Sequence, residues 1–325
     1  MNSRLFLESC KSEATRKVYS VYLKRYEQDY DISITDPRQV ESMVIDFIIK
    51  LKQEGKSFAA IHNYVATILS YYKINDVVLN THKINKFMPE RRRVKKDRAY
   101  THEEISRLLS IADERIKAVI LLMTSGGCRI GAIPLLRLRN LQDNKLTIYE
   151  NDREEHFTFI TPECKRAVDN YLDMRSRYEE KSSDDSYLIR EQFDLRNPRP
   201  PKQVNANTVE KRLLDMSTRM GMRTNGVPIA HGFRKFFTTQ LINSKVNPEI
   251  REMLLGHDIG LAGSYYRPTE EEMFDEYDKA VNNLTINEEN RLRKKVETLE
   301  IEKSQMDRIE QKLRLLEAQF NSKEK

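Results

Sequence analysis

Residues 91–98 read Arg-Arg-Arg-Val-Lys-Lys-Asp-Arg, six positive charges in eight positions, between two long stretches of periodic apolar residues. A run of that density repels itself and cannot be buried without partners, so it stays extended and divides the chain. The eight residues are expected to be a basic linker with a folded body on either side. A chain of 325 residues is long enough for two bodies, at roughly 100–200 residues per domain, each with its own core.

Before the linker, apolar residues recur at helical spacing: Val18, Val21, Tyr22 and Tyr26, then Met43, Val44, Phe47, Ile48 and Leu51, then Ile61, Tyr64, Val65, Ile68, Leu69 and Tyr72. Asp36 followed by Pro37 marks a helix start, because proline fits the first helical position, where no amide donor is needed. Residues 1–90 therefore predict a small all-helical domain. The second body opens on a Thr101-x-x-Glu104 capping box and runs through the apolar stretch Val119–Met123 into Ser125-Gly126-Gly127-Cys128-Arg129. Alternating segments at Lys145–Tyr149 and Phe157–Ile160 flank the polar run Glu150–Glu155, a β-hairpin pattern. Residues 179–204 carry Pro198, Pro200 and Pro201 and predict a long surface loop, after which helices return. Residues 99–286 thus predict an α+β domain, and the fold class is mainly α with a small β-sheet. From 287 to 325, Leu292, Val296, Leu299, Met306, Ile309, Leu313, Leu316 and Phe320 form a coiled-coil-like tail, although Lys303 occupies a core position and the step from Met306 to Ile309 breaks register.

Fifty-six Lys and Arg against 50 Asp and Glu give a net charge of +6, which leans toward a polyanionic partner. The basic run carries two readings, a solvated linker or a strap in which Arg91, Arg92, Arg93, Lys95 and Lys96 neutralise phosphates and release counterions. Cys10, Cys128 and Cys164 are widely separated and signal neither a zinc site nor a disulfide framework, as expected of a reducing compartment. No apolar run approaches the ~20 residues of a membrane span, and the first residues are too polar for a secretory signal, so a cytoplasmic protein is expected. Neither a G-x-x-x-x-G-K-[ST] nor an H-E-x-x-H motif occurs, and no metal or cofactor is expected.

Four elements of the second body belong together: Arg129 after a Gly-Gly turn, His231-Gly232-Phe233-Arg234, Leu254-Leu255-Gly256-His257, and Tyr265-Tyr266. Each alone is ordinary: an arginine is usually a surface charge, and a tyrosine pair usually packs. Their order and spacing, H-x-x-R, then 23 residues to the histidine of L-L-G-H, then nine to a tyrosine, resemble the tyrosine recombinase (phage-integrase) family. Gly131-Ala132-Ile133-Pro134 and the terminal coil are similar to integrases of archaeal genomes and their viruses.

The resemblance implies a site-specific recombinase in which Tyr266 attacks the scissile phosphate of double-stranded DNA. The product would be a 3′-phosphotyrosyl link and a free 5′-hydroxyl, with the bond energy kept in the link and strands exchanged by a tetramer on DNA. The residue types suit the chemistry. Arg129 and Arg234 would clamp the charge that builds on the non-bridging oxygens. His231 would serve as base or proton shuttle, and His257 would donate a hydrogen bond to the phosphate. Tyr266 rather than Tyr265 matches the family spacing, which leaves Tyr265 as a packing residue, and Pro268 with Thr269-x-x-Glu272 starts a new helix just beyond. Two departures stand out. The family's acidic residue three positions after the first arginine is Ala132 here, and its hairpin lysine, which would protonate the leaving oxygen, aligns with Asn151. Lys145, or Arg153, would fill that role; Lys145 is favoured because an arginine parts with its proton too reluctantly. A non-catalytic DNA-binding protein on the same scaffold, or an enzyme of the type IB topoisomerase or telomere resolvase kind, shares most of these features.

Overall fold

The computed structural model describes residues 3–91, 97–178, 180–192, 201–222, 226–260 and 262–323. The chain divides into two compact units, Met1–Lys95 and Lys96–Lys325. Of the basic run, Arg91 is exposed, whereas Arg92, Arg93, Lys95 and Lys96 lie outside the described residues. Asp97 and Arg98 are engaged within the second unit, Asp97 with Lys235 and Arg98 with Glu104.

The first unit is built from α1 (Ser3–Glu8), α2 (Glu13–Glu27), α3 (Pro37–Gln53), α4 (Phe58–Ile74) and α5 (Thr81–Asn85). Ser12, Asp36, Ser57 and Asn80 cap α2 to α5, each side chain accepting from an amide in the first turn that has no partner within the helix. The core is rich in aromatics: Phe6, Tyr26, Phe47, Tyr71 and Tyr72 are fully buried, with Tyr26 edge-on to Phe47 at 5.1 Å. On α2 the buried face differs from the sequence expectation. Val18 and Val21 are 45% and 61% exposed, while Leu23 and Tyr26 face the core and Tyr22 rests on Tyr64 at 4.4 Å. Seating the aromatic rings buries more apolar area than seating the valines, and that sets the helix rotation.

The second unit contains α6 (His102–Ile111), α7 (Glu114–Ser125), β1 (Leu141–Gln142), β2 (Lys145–Ile148), β3 (His156–Phe159), α8 (Pro162–Ser176), α9 (Ala206–Arg219), α10 (His231–Asn243), α11 (Pro248–Leu254), α12 (Ala262–Tyr265), α13 (Glu270–Leu284) and α14 (Glu288–Lys323). Both halves of the Thr101–Glu104 capping box form at the start of α6. Nearly every residue of α7 is buried, as befits a central helix enclosed by its neighbours. Tyr277 of α13 donates to the Ser125 carbonyl at its end, at 2.9 Å. The sheet is antiparallel in the order β1-β2-β3, with Lys145 opposite Phe159 and Ile148 opposite His156. Alternation sends Leu146 and Ile148 into the core. The mainly helical fold with a small sheet is thus established.

Arg175, fully buried, shares the Glu180 carboxylate with Arg190 at 2.5 and 2.6 Å, which fixes the start of the long polar loop against α8. Glu163 accepts from the amides of Ile286 and Asn287 at 2.6 and 2.9 Å, holding the root of α14. Farther along α14, Leu292, Val296, Leu299, Met306, Ile309 and Leu313 are each more than half exposed. Among the described residues no helix is long and apolar enough to cross a membrane, and no group of three His, Cys, Asp or Glu is placed to hold a metal ion.

Candidate active site

The site begins where α7 ends. Gly127 follows at φ +66°, in the left-handed region, and a Cβ there would stand 2.4 Å from Cδ1 of Phe237. Only glycine lets the turn lie this close to α10. The turn then presents Arg129, whose Nη1 pairs with the Glu154 carboxylate on the hairpin at 3.5 Å and has no hydrogen-bond partner among the described residues. A single long pair to an exposed carboxylate leaves this shielded guanidinium nitrogen without a close acceptor, which an anion in the cleft would supply.

Helix α10 supplies His231 in its first turn and Arg234 one turn on. Arg234 is 5% exposed. It donates from Nη1 to the Gly127 carbonyl at 2.6 Å and from Nη2 to the Leu255 carbonyl at 2.5 Å, so it ties together the loops bearing Arg129 and His257. Burial, and then the charge of Arg129, lower its pKa to about 10. Burial accounts for most of that penalty and the nearby Arg129 charge for the next part, and an anion beside both cations would offset it. The His231 imidazole is also held below its ordinary value, first by partial desolvation and then by Lys235 and Arg234, and so is neutral and able to take a proton at neutral pH.

Gly256, at φ +65°, leads into His257 and packs on the His156 ring, which an added Cβ would meet at 2.3 Å. His257 Nε2 is 3.0 Å from Arg234 Nη2, and its Nδ1 is 2.6 Å from Glu252 Oε2. A guanidinium can only donate, so Nε2 accepts, and the ring proton sits on Nδ1, donated to Glu252. Two clefts meet at this ring. One, of about 540 Å³, is lined by His231, Arg234, Lys235, Glu252 and His257. The other, of about 690 Å³, is lined by Arg129, Arg153, Glu154, His156 and His257.

Arg129, His231, Arg234 and His257 are therefore brought together, while Lys145 and Tyr266 line neither cleft. Lys145 pairs with Glu270 at the start of α13 and lies 4.7 Å over the Phe157 ring. The hairpin cation in the cleft is Arg153. The strand position of Lys145, favoured from the sequence for the hairpin role, sets it beside α13 rather than beside the arginines. Tyr266 follows α12, 37% exposed, and partial burial and then Glu272, Glu276 and Glu249 raise its hydroxyl pKa. Tyr265 is 90% exposed and is not a packing residue. The Thr269–Glu272 capping box beyond it is complete.

Glu252, Glu154 and His156 are among the cleft residues that escaped sequence reasoning. Glu252, five positions before His257, had a readable signal, since one helical turn and a loop bring such a pair within reach. Glu154 and His156 had none, because only the folded hairpin brings them to Arg129. His156 donates from one ring nitrogen to the Glu154 carbonyl at 2.8 Å, its other nitrogen has no hydrogen-bond partner among the described residues, and burial lowers its pKa.

The sequence model of the phage integrase family matches residues 98–272, more than half of the chain and the whole of this site. The chain is 23% identical over 281 residues to tyrosine recombinase XerA of Pyrococcus horikoshii, covering 83% of this chain and 88% of that protein. It is 22% identical over 267 residues to tyrosine recombinase XerD of Oceanobacillus iheyensis, covering 78% and 86%. Its fold is similar to that of the Tn1549 transposon integrase in complex with transposon right end DNA, with a TM-score of 0.60, 15% identity, and 85% of this chain and 98% of that chain covered. It is also similar to that of a lambda integrase tetramer bound to a Holliday junction, with a TM-score of 0.58, 14% identity, and 81% and 75% covered. With Arg129, the His231–Arg234 pair, His257 and Tyr266 all inside the matched span, the chain belongs to the phage integrase family, the tyrosine-type site-specific recombinases.

Proposed function

We propose that this protein integrates or excises a mobile or viral genome by cleaving and rejoining double-stranded DNA at attachment sites through a 3′-phosphotyrosyl link on Tyr266. The observation that carries this reading is the convergence of Arg129 and Arg234 beside two histidines, with the Arg129 Nη1 held at 3.5 Å from Glu154 but without a close acceptor among the described residues. A phosphate between the two guanidiniums relieves both the missing acceptor and the mutual repulsion, and more so as charge builds on its oxygens in the transition state. Tyr266 Oη attacks phosphorus as the bond to the 5′-oxygen breaks, and the phenol proton passes to neutral His231. His257, once Nε2 carries a proton, donates a hydrogen bond to the phosphate, and Arg153 steadies the departing oxygen. Tyr266 lies near Glu272, Glu276 and Glu249 and lines neither cleft, so its hydroxyl shifts toward the arginines when DNA binds.

The first unit, residues 1–90, and the catalytic body, residues 99–286, both hold the duplex, and the basic run tracks its phosphates. A tetramer on DNA exchanges the strands, and the lambda integrase tetramer on a Holliday junction and the DNA-bound Tn1549 integrase support this assembly. The test is to express the protein beside a circular plasmid library in cells and sequence the new junctions. Reproducible junctions between plasmid and host DNA at one short sequence are expected. Relaxed plasmids without junctions would instead assign the chain to topoisomerase-like chemistry.

A further inference from the structure

The hairpin of this chain offers no lysine to protonate the leaving 5′-oxygen: its tip is Glu150-Asn151-Asp152-Arg153, and Lys145 is paired with Glu270. An arginine is a poor proton donor. The two clefts also hold His231, His156 and His257, an imidazole can pass a proton through either ring nitrogen, and their surroundings divide them. His231 and His156 are both held toward the neutral form by burial and by the neighbouring arginines. His257 alone among them has a carboxylate on its ring, Glu252 Oε2 at 2.6 Å from Nδ1, and burial of Glu252 is outweighed by His257 and Arg251, so that carboxylate stays ionised. The backbone amide of His257 is also tied to the Glu252 carbonyl, at 2.9 Å, which fixes the ring relative to α11.

We propose that Glu252 and His257 form the proton-donating pair of the cleavage step, with His257 the catalytic residue and Glu252 the positioning residue that holds its Nδ1–H. The inference rests on the Tyr266 reading above. Without DNA, Nε2 accepts from Arg234. When a phosphate draws Arg234 toward its own oxygens, Nε2 is freed and takes a proton from solvent, and the resulting imidazolium is balanced by Glu252. As the bond from phosphorus to the 5′-oxygen breaks, the Nε2 proton passes to that oxygen, leaving a 5′-hydroxyl and the neutral Nδ1–H ring, while the Tyr266 proton resides on His231. Rejoining runs the same transfers backward. A carboxylate holding one imidazole nitrogen while the other moves a proton is the arrangement that serves serine hydrolases.

Two measurements test the pair. In the DNA-free protein, nitrogen-15 spectra of the imidazoles are expected to show His257 as the Nδ1–H tautomer, and Glu252→Ala, which leaves Arg234 donating to Nε2, is expected to keep that tautomer and to move the Nδ1 resonance as the carboxylate acceptor is lost. An Nε2–H ring in the unaltered protein overturns the proposal whatever Tyr266 does. The second measurement uses nicked duplexes of the recovered junction sequence with either oxygen or sulfur at the 5′-bridging position, since a sulfur leaving group needs no proton. His257→Asn and Glu252→Ala are expected to slow covalent attachment to the oxygen substrate by at least about tenfold and to restore near-normal rates on the sulfur substrate. Equal losses on both substrates overturn the assignment. Failure of the unaltered protein to attach to either substrate counts against Tyr266 instead, so the two readings fail separately.

Discussion

Gly127 shows how one residue couples fold to chemistry, since its φ of +66° and its approach to Phe237 exclude a side chain while its carbonyl receives Arg234. Gly127→Ala is expected to destabilise the protein by about 1–3 kcal/mol through overpacking and a strained backbone, read as a lower urea midpoint, and to misplace Arg234. The acid limb of the reaction is set at the same scale. His231 must be neutral to accept a proton, and partial burial, Lys235 and Arg234 depress its pKa, so cleavage persists to lower pH than an ordinary imidazole would allow. Lys235→Met removes one depressing charge and frees Asp97, which raises the pKa. The acid limb of adduct formation is therefore expected to move to higher pH, and a limb that stays put would remove His231 as the base. The motif residues were legible in the sequence because each lies in a short string whose spacing carries the information. Glu154, His156 and the true surroundings of Lys145 and Tyr265 were not, since each depends on which distant element the fold sets beside it.

Helices were largely readable from their starts where Asp36, Thr101 and Thr269 cap within three residues of themselves. Which face of α2 turns inward was not, because the apolar pattern admits two rotations and the partner Tyr64 decides between them. The two residues of β1 are too few to alternate. Helix α14 raises a separate question. Its root is pinned by Glu163, its apolar stripe is exposed, and its charge from 287 to 325 is nearly balanced at ten basic and nine acidic residues. Balanced charge disfavours a DNA-binding tail, and the heptad-like stripe suits a second copy of itself. A chain ending at Asn287 is expected to keep its fold and sediment as a smaller species than the full chain on DNA. Identical sedimentation would remove the tail from assembly.

For the whole molecule, a net charge of +6 is modest, and placement matters more than sum. Arg98 and Lys235 are already paired with acids. Changing Arg91, Arg92, Arg93, Lys95 and Lys96 to glutamine is expected to weaken binding to every DNA sequence alike and to flatten the dependence on salt, by roughly 0.9 in log–log slope for each phosphate that is no longer neutralised. An unchanged slope would leave the run a linker only. The most direct measurement of the reaction itself follows the covalent intermediate. A nicked duplex that releases a short 5′-hydroxyl strand traps the enzyme on DNA, and the adduct is resolved on a denaturing gel. The unaltered protein and Tyr265→Phe are expected to form the adduct. Tyr266→Phe is expected to bind the duplex with near-normal affinity and form none, because only one hydroxyl is removed. An adduct that survives Tyr266→Phe, or that vanishes with Tyr265→Phe alone, would contradict phosphotyrosyl transfer through Tyr266.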